Sequence, residues 1–318
     1  MKIIIDKHIP FLQGVLDGLA QVCFLEPEDF TRESVRDADA LVIRTRTTCN
    51  ASLLSGSRVQ FIATATIGTD HIDHDYCRSH NIRVVSCPGC NAQAVCDYIE
   101  EALLETVISP LTGCSLPLSR HALPLSIGIV GAGHVGKKVA KMANSYGMHI
   151  VVSDPPLHLN GDVTGCDIIT FHTPLTLDGE YPTYHLCNSS FLKRCRQDAL
   201  IINAARGGVV DEQALLDSNH PFILDTWEGE PHINPQVLDR AVLASFHIAG
   251  YSNMGKLNAS RMCLKALCEH FGLPHRRLKR DILPQAGDNA PGWLQRVSGQ
   301  LKANPEAFEK LRKEYKLR

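Results

Sequence analysis

Long hydrophobic runs are missing from this chain of 318 residues. No apolar stretch approaches the roughly 18 residues that cross a bilayer, so no membrane partner is expected. The opening Met1-Lys2-Ile3-Ile4-Ile5-Asp6 is charged too early for a secretory leader and reads as a first strand. An excess of one charge is missing too. With 32 Lys and Arg against 34 Asp and Glu, the net charge is −2, and no nucleic acid is expected as a partner. The basic run His275-Arg-Arg-Leu-Lys-Arg280 is short and carries no interleaved aromatics. Paired cysteines are nearly absent although the chain has 12 Cys. Only Cys87-Pro-Gly-Cys90 has redox or metal spacing, and no second pair answers it. Free thiols in a reducing cytoplasm fit this usage, with Cys87–Cys90 as a turn before a helix.

At this length two ordinary domains have room, and one motif places the second of them. Ile127, Ile129 and Val130 form a short strand-like run that enters Gly131-x-Gly133-x-x-Gly136. A helical pattern with Val135, Val139, Met142 and Ala143 follows, then the apolar run His149-Ile-Val-Val-Ser and Asp154. This is the setting a dinucleotide fingerprint requires: strand, glycine turn, helix, strand, acid. Gly131 permits the turn, Gly133 lets a pyrophosphate approach, and Gly136 lets the helix lie on the strand. Asp154 stands 18 residues beyond Gly136, placed to accept from ribose hydroxyls and to repel a 2′-phosphate, which favours NAD over NADP. Taken alone, the stretch also suits S-adenosylmethionine.

Before the fingerprint, strand-like runs at 2–5, 22–25, 40–43, 61–64 and 83–86 alternate with helical patterns, among them 11–19 and 73–80. Such alternation predicts a parallel sheet covered by helices. An α/β domain therefore precedes the nucleotide domain. In Thr69-Asp-His-Ile-Asp-His-Asp75, helix capping accounts for the acids without a metal, and no metal site is expected. A long helix over 91–108 and a looser segment, 109–124, lead to the fingerprint. Beyond it, strands are predicted at 167–171, 200–203, 222–224 and 242–244. Only a dozen residues, with two prolines and two glycines, separate Asp154 from Asp167, which predicts a trimmed connection in place of a helical crossover. A helix over 257–271 returns to the first domain, and the tail places Phe308, Leu311 and Tyr315 on one face that must pack on the body or on a partner subunit.

Three polar residues follow apolar strand-like runs in the second half: Arg206, Glu230 and His247. Ligands of open parallel sheets gather at the carboxyl ends of strands, so these three can converge. A guanidinium grips a carboxylate with two prongs, and a histidine beside a carboxylate makes a general base. Each residue also has an ordinary reading: a surface ion pair for Arg206, a turn before Pro231 for Glu230, a satisfied core histidine for His247. Jointly, next to a dinucleotide site, they suit hydride removal from a 2-hydroxy acid.

Asn203-Ala-Ala-Arg-Gly-Gly-Val-Val-Asp211, Glu230-Pro231 and His247 resemble the D-2-hydroxyacid dehydrogenase family. The resemblance implies an α/β fold: a Rossmann-type NAD domain over 93–253, inserted into a flavodoxin-like substrate domain made of 1–92 and 254–274. A shortened C-terminal segment, 275–318, would follow, of the kind that makes a homodimer. It implies Arg206, Glu230 and His247 as the catalytic trio, His247 being the acid/base. NAD would meet Gly131, Gly133, His134, Val135, Gly136, Asp154, Thr173, Ala204, Asp225 and Gly250. Finer motifs, among them Thr64-Ala-Thr-Ile-Gly-Thr-Asp-His-Ile-Asp73 and His247-Ile-Ala-Gly-Tyr251, resemble a branch whose substrate is a small phosphorylated 2-hydroxy acid. There Thr45, Thr66 and Tyr251 contact substrate, and Arg44 and Arg46 supply cations for the phosphate. Another D-2-hydroxyacid dehydrogenase, or an NAD-sensing binding protein on the same fold, is the competing expectation.

Overall fold

A computed structural model describes residues 1–108, 124–274, 278 and 290–317. The loose connection expected at 109–123 and most of the basic run at 275–280 lie outside the described residues. The chain divides into two compact units: Met1–Asn91 with the chain from Ser252, and Ala92–Tyr251 with the C-terminal tail.

The first unit is built on five parallel strands: β1 (Lys2–Asp6), β2 (Gln21–Leu25), β3 (Ala40–Ile43), β4 (Phe61–Thr64) and β5 (Arg83–Val85). Their order is β2-β1-β3-β4-β5, the flavodoxin-like doubly wound arrangement. Every residue of β3 and β4 is buried, as continuous apolar strands covered on both faces require. The helix Asn253–Phe271 covers one face, where Leu257, Cys263, Leu264 and Leu267 join Ile3, Ile5, Val42 and Phe61. Ser252 starts this helix by accepting from Gly255 N at 2.9 Å, and Gly272, at φ 63°, ends it.

The stretch 11–19 is not the helix its apolar spacing predicts but a series of turns. Phe11, Gly14 and Gly18 all have left-handed backbone, with φ of 68°, 74° and 76°, and a right-handed helix cannot pass through them. Leu12 and Leu16 are nevertheless buried, so the apolar pattern was a core signal without being a helical one.

The second unit carries a sheet of order β12-β11-β10-β9-β6-β7-β8. Its strands are β6 (Ser126–Val130), β7 (His149–Asp154), β8 (Leu159–Asn160), β9 (Ile168–Phe171), β10 (Leu200–Asn203), β11 (Phe222–Leu224) and β12 (Leu243–Ala244). All neighbours are parallel except β7 and β8. After β6 the chain winds to one side, and β9 begins the other, so the strand order reverses between β6 and β9. That is where ligands of open α/β sheets bind. Asp167 pins this point from below, accepting from Ser126 N at 2.8 Å and from Ser126 Oγ at 2.6 Å.

The short link after Asp154 makes one turn at Pro155–Leu157 and returns as β8, antiparallel to β7. A second single turn, Val163–Gly165, then leads into β9. Gly161 makes the tight return possible, because a Cβ there would lie 2.6 Å from Val152 O.

The tail, set apart on sequence as a third segment, supplies part of this unit's core in its described portion. Trp293, Leu294, Val297 and Leu301 of the helix Trp293–Ala303, and Phe308 of the helix Phe308–Glu314, are buried in it. Glu105 caps the first of these helices, accepting from Leu294 N at 2.9 Å and from Gln295 N at 2.8 Å. Ser298 Oγ accepts from Ala244 N at 3.0 Å.

Candidate active site

At the mouth of the β6–β9 switch lies the glycine turn. Gly131 is left-handed at φ 97°, and a Cβ on it would lie 2.8 Å from His172 O. A Cβ on Gly136 would collide with the Gly131 carbonyl oxygen. Gly133 differs: a Cβ there would meet nothing within 4 Å. The protein itself therefore does not need a glycine at 133, whereas a closely approaching ligand would. The helix His134–Ser145 begins at Gly133 with no side-chain cap, which leaves its first N–H groups for an anion. Asp154, at the tip of β7, accepts from Ala132 N at 2.6 Å and so steadies the same turn.

Across the turn, His172 Nδ1 is buried without a partner among the described residues, and burial pulls the ring's affinity for a proton down to a pKa of about 3, so the ring is neutral. Beside it, Thr173 Oγ1 is buried without a partner among the described residues. A buried hydroxyl costs free energy until something bonds it. A dinucleotide lying over Gly133 fits these three features together: the empty space, the uncapped helix end and the orphaned hydroxyl.

Arg206 leaves the end of β10 on a loop that Asn203 ties down. Asn203 Nδ2 donates to Arg206 O at 2.9 Å, and its Oδ1 accepts from Ala205 N at 3.0 Å. Gly207 is packed so closely on the Trp227 carbonyl that no side chain fits. Arg206 Nη1 donates to Ala205 O at 2.7 Å, and no carboxylate among the described residues pairs with the guanidinium. Ala204 is buried beside it.

Glu230 and His247 come together. Glu230 Oε1 accepts from Trp227 N at 2.9 Å, and Oε2 lies 2.8 Å from His247 Nδ1. A carboxylate can only accept, so Nδ1 carries the proton and Nε2 is left with its lone pair. His247 holds a left-handed backbone, φ 59°, which costs energy and marks a site shaped for something other than stability. Asp225 holds it there. The Asp225 carbonyl accepts from His247 N at 2.8 Å. Asp225 Oδ1 takes Ser245 Oγ at 2.6 Å and Ile248 N at 2.7 Å, and Oδ2 takes Ala249 N at 2.9 Å. The Asp225 carboxylate, 1% exposed, is thus engaged by the loop from Ser245 to Gly250.

Sequence reasoning missed a nest of acids behind this loop. Glu212 and Glu228 bond each other's backbone, and burial, reinforced by the charges of Glu228, Glu230 and Asp211, pushes the Glu212 carboxyl up to about 7. His185 Nε2 lies 3.0 Å from Glu228 Oε1, and its Nδ1 lies 3.6 Å from Asp211 Oδ2. One ligand atom from each of His185, Asp211 and Glu228 lies within 4.8 Å of the others, but both ring nitrogens already face carboxylates. A run of acids dispersed over 211–230 gives no sequence signal for this cluster.

The first unit holds the remaining candidates. Arg44, at the end of β3, grips the fully buried Asp6 at the end of β1 with Nε at 2.8 Å and Nη2 at 3.1 Å. The guanidinium that sequence reading offered to a phosphate therefore has a structural partner. Thr45 and Arg46 are exposed, and Arg46 lines an open cavity of about 330 Å³ with Arg32 and Thr48. Thr66 Oγ1 lies 2.6 Å from Thr64 Oγ1 and donates to Gly68 O at 3.0 Å. In the acid- and histidine-rich stretch, Asp73 caps the helix His74–Ser79 by accepting from Tyr76 N, His71 bonds Thr64 and His74 bonds Thr69. Cys87 contacts Cys263 with sulfurs 3.5 Å apart, and both are buried.

Residues 119–249 match the family described as D-isomer specific 2-hydroxyacid dehydrogenase, NAD binding domain. Over its whole length the chain is 42% identical to a protein of Bacteroides thetaiotaomicron named erythronate-4-phosphate dehydrogenase, covering 97% of it. A protein of the same name from Porphyromonas gingivalis is 37% identical, with 99% of this chain and 92% of that one covered. Among solved structures, the fold is similar to an NAD⁺-bound 3-phosphoglycerate dehydrogenase of Entamoeba histolytica, with TM-score 0.67, 22% identity, and 89% of this chain and 99% of that one covered. It is similar as well to a D-lactate dehydrogenase of Aquifex aeolicus in complex with NAD and lactic acid, with TM-score 0.65, 21% identity, and 86% and 96% covered.

Proposed function

Because the chain belongs to the D-isomer specific 2-hydroxyacid dehydrogenase family, we propose that it oxidises 4-phospho-D-erythronate to 2-oxo-3-hydroxy-4-phosphobutanoate with NAD, a step toward pyridoxal 5′-phosphate. The observation that carries this reading is the 2.8 Å contact between Glu230 Oε2 and His247 Nδ1, which leaves Nε2 as the proton acceptor.

In this reading His247 Nε2 takes the proton from the C2 hydroxyl, and Glu230 stabilises the positive ring that results. Arg206, with no carboxylate partner among the described residues, holds the substrate carboxylate in two-pronged fashion and so orients C2. NAD, held by the glycine turn, would supply the acceptor for the C2 hydride. Gly131, Gly133, His134, Val135, Gly136 and Thr173 would hold its pyrophosphate side, and Asp154 its ribose. Ala204 and Gly250 would line it, while Asp225 acts through the His247 loop. The same reading gives Thr45, Arg46, Thr66 and Tyr251 to the substrate, and makes the working form a cytoplasmic homodimer.

The test is reduction of NAD by the purified chain on a panel of 2-hydroxy acids. A preference for 4-phospho-D-erythronate over 3-phosphoglycerate and over D-erythronate is expected. Equal turnover with 3-phosphoglycerate would sink the substrate assignment. No turnover at all, with NAD-dependent capture of a protein partner, would replace the enzyme by a sensor. Light scattering checks the dimer.

A further inference from the structure

The C-terminal helix Phe308–Glu314 is fastened to both ends of the loop that carries His247. On one side the Tyr315 ring meets Phe246, the residue before His247, with centroids 6.0 Å apart and planes at 74°. On the other, Arg312 Nε donates to the Tyr251 hydroxyl oxygen at 3.0 Å, and the guanidinium lies 5.7 Å from the centre of the Tyr251 ring. Phe308, fully buried, anchors the helix.

This arrangement does more than pack. The Arg312 side chain is only 27% exposed, and its one acidic contact among the described residues is Glu309 Oε1, at 3.4 Å on its own helix. Glu309 is itself 42% exposed, so the contact is loose and solvated. Nη2 has no partner among the described residues. Burial works against the charge, yet Tyr251, Glu230 and Glu309 together hold the proton affinity above the ordinary arginine range. A partly desolvated guanidinium with a free prong, steered by a phenol and acted on by Glu230, is a ready anion receptor. Of the arginines offered to the phosphate on sequence, Arg44 is committed to Asp6.

We propose that Arg312 is a substrate-binding residue, which together with the Tyr251 hydroxyl receives the phosphate of a phosphorylated 2-hydroxy acid. The proposal rests on the 2-hydroxyacid dehydrogenase reading given above, and it makes the tail a source of substrate specificity.

Steady-state kinetics of the full chain with NAD test it, using Arg312→Met and Arg312→Lys on 4-phospho-D-erythronate and on D-erythronate, with inorganic phosphate as inhibitor. Arg312→Met should raise KM for the phosphorylated acid roughly 10- to 100-fold, lower the preference for it by a similar factor, and weaken inhibition by inorganic phosphate. Arg312→Lys keeps charge and stem but loses the fork, and it should fall between the two. It also keeps the test decisive if Arg312→Met does not fold. A fall in kcat on both acids, with KM, preference and phosphate inhibition unchanged, would overturn the proposal and reduce Arg312 to a support for Tyr251. If the chain oxidises some other 2-hydroxy acid, the substrate assignment fails separately. Inhibition of that activity by phosphate, weakened in Arg312→Met, would still uphold the role of Arg312, and its absence would overturn it.

Discussion

Glu212 and Glu228 hold each other through the backbone: Glu228 N donates to Glu212 Oε1 at 2.7 Å, and Glu212 N donates to Glu228 Oε1 at 3.3 Å. The reciprocal bond ties the loop that leads to Glu230 onto the helix Glu212–Leu216. It also draws carboxylates close together in a buried place, and Glu212 bears the cost.

A pH dependence of stability follows. Burial and neighbouring charges push Glu212 from 4.5 up to about 7, and Glu105, buried beside Glu101, likewise to about 7. Between these values the folded chain holds protons that the unfolded chain has lost. The contribution is thus fully present below about pH 4.5, fades as pH rises toward 7, and is gone above it. Chemical denaturation from pH 4.5 to 8 should show this component as a decline. Glu212→Gln should flatten it by on the order of 2–3 kcal/mol. An unchanged slope in that variant would refute the assignment.

Two glycines of the turn, Gly133 and Gly136, should respond differently to one added methyl group. Gly136→Ala forces a collision with Gly131 O and should cost on the order of 2–4 kcal/mol of stability, read as a lowered unfolding midpoint. Gly133→Ala has open space, so its midpoint without cofactor should match the parent's while NAD affinity falls at least about tenfold. Equal NAD affinity in Gly133→Ala would mean that the dinucleotide does not pass over this residue.

Glu230→Gln keeps shape and removes charge. The amide can offer an N–H to Nδ1, and the ring then turns its proton to Nε2, where none is wanted. Turnover should drop by roughly 10²–10⁴, with NAD affinity by calorimetry nearly unchanged. Parental kcat in this variant would remove Glu230 from the chemistry.

Arg44→Met should behave as a structural lesion. It leaves the fully buried Asp6 without its cation and with only the His8 amide at 2.9 Å, and the loss should approach the roughly 3–5 kcal/mol seen when one member of a buried pair is removed. A double variant with Asp6→Asn should recover part of that loss. An unchanged midpoint for Arg44→Met, with KM alone affected, would return Arg44 to the substrate.

Much of this architecture was legible because it is local. Strand-like runs leading to Gly131, Arg206 and His247 declare the sheet, and the carboxyl ends of its strands mark the candidate site. What was hidden depends on distant partners or on backbone sign. Nothing in Phe11–Leu19 except two glycines warned that its apolar spacing belonged to turns. Asp225 reads as a strand-end acid, and only the fold shows it spread over Ser245, Ile248 and Ala249. Arg44 looked free because Asp6 lies 38 positions away. Arg312 gave no signal, its partner Tyr251 being 61 positions distant.

The clipped link after Asp154 has one more consequence. It ends the seven-stranded sheet with β8, a strand of two residues, and the opposite margin, β12, is also two residues long. Strand margins are templates on which other chains add, and short ones offer little to copy. The helix Trp293–Ala303 further occupies β12, where Ser298 takes the Ala244 amide. Both margins of this wide sheet are thereby poor templates for fibre-like growth.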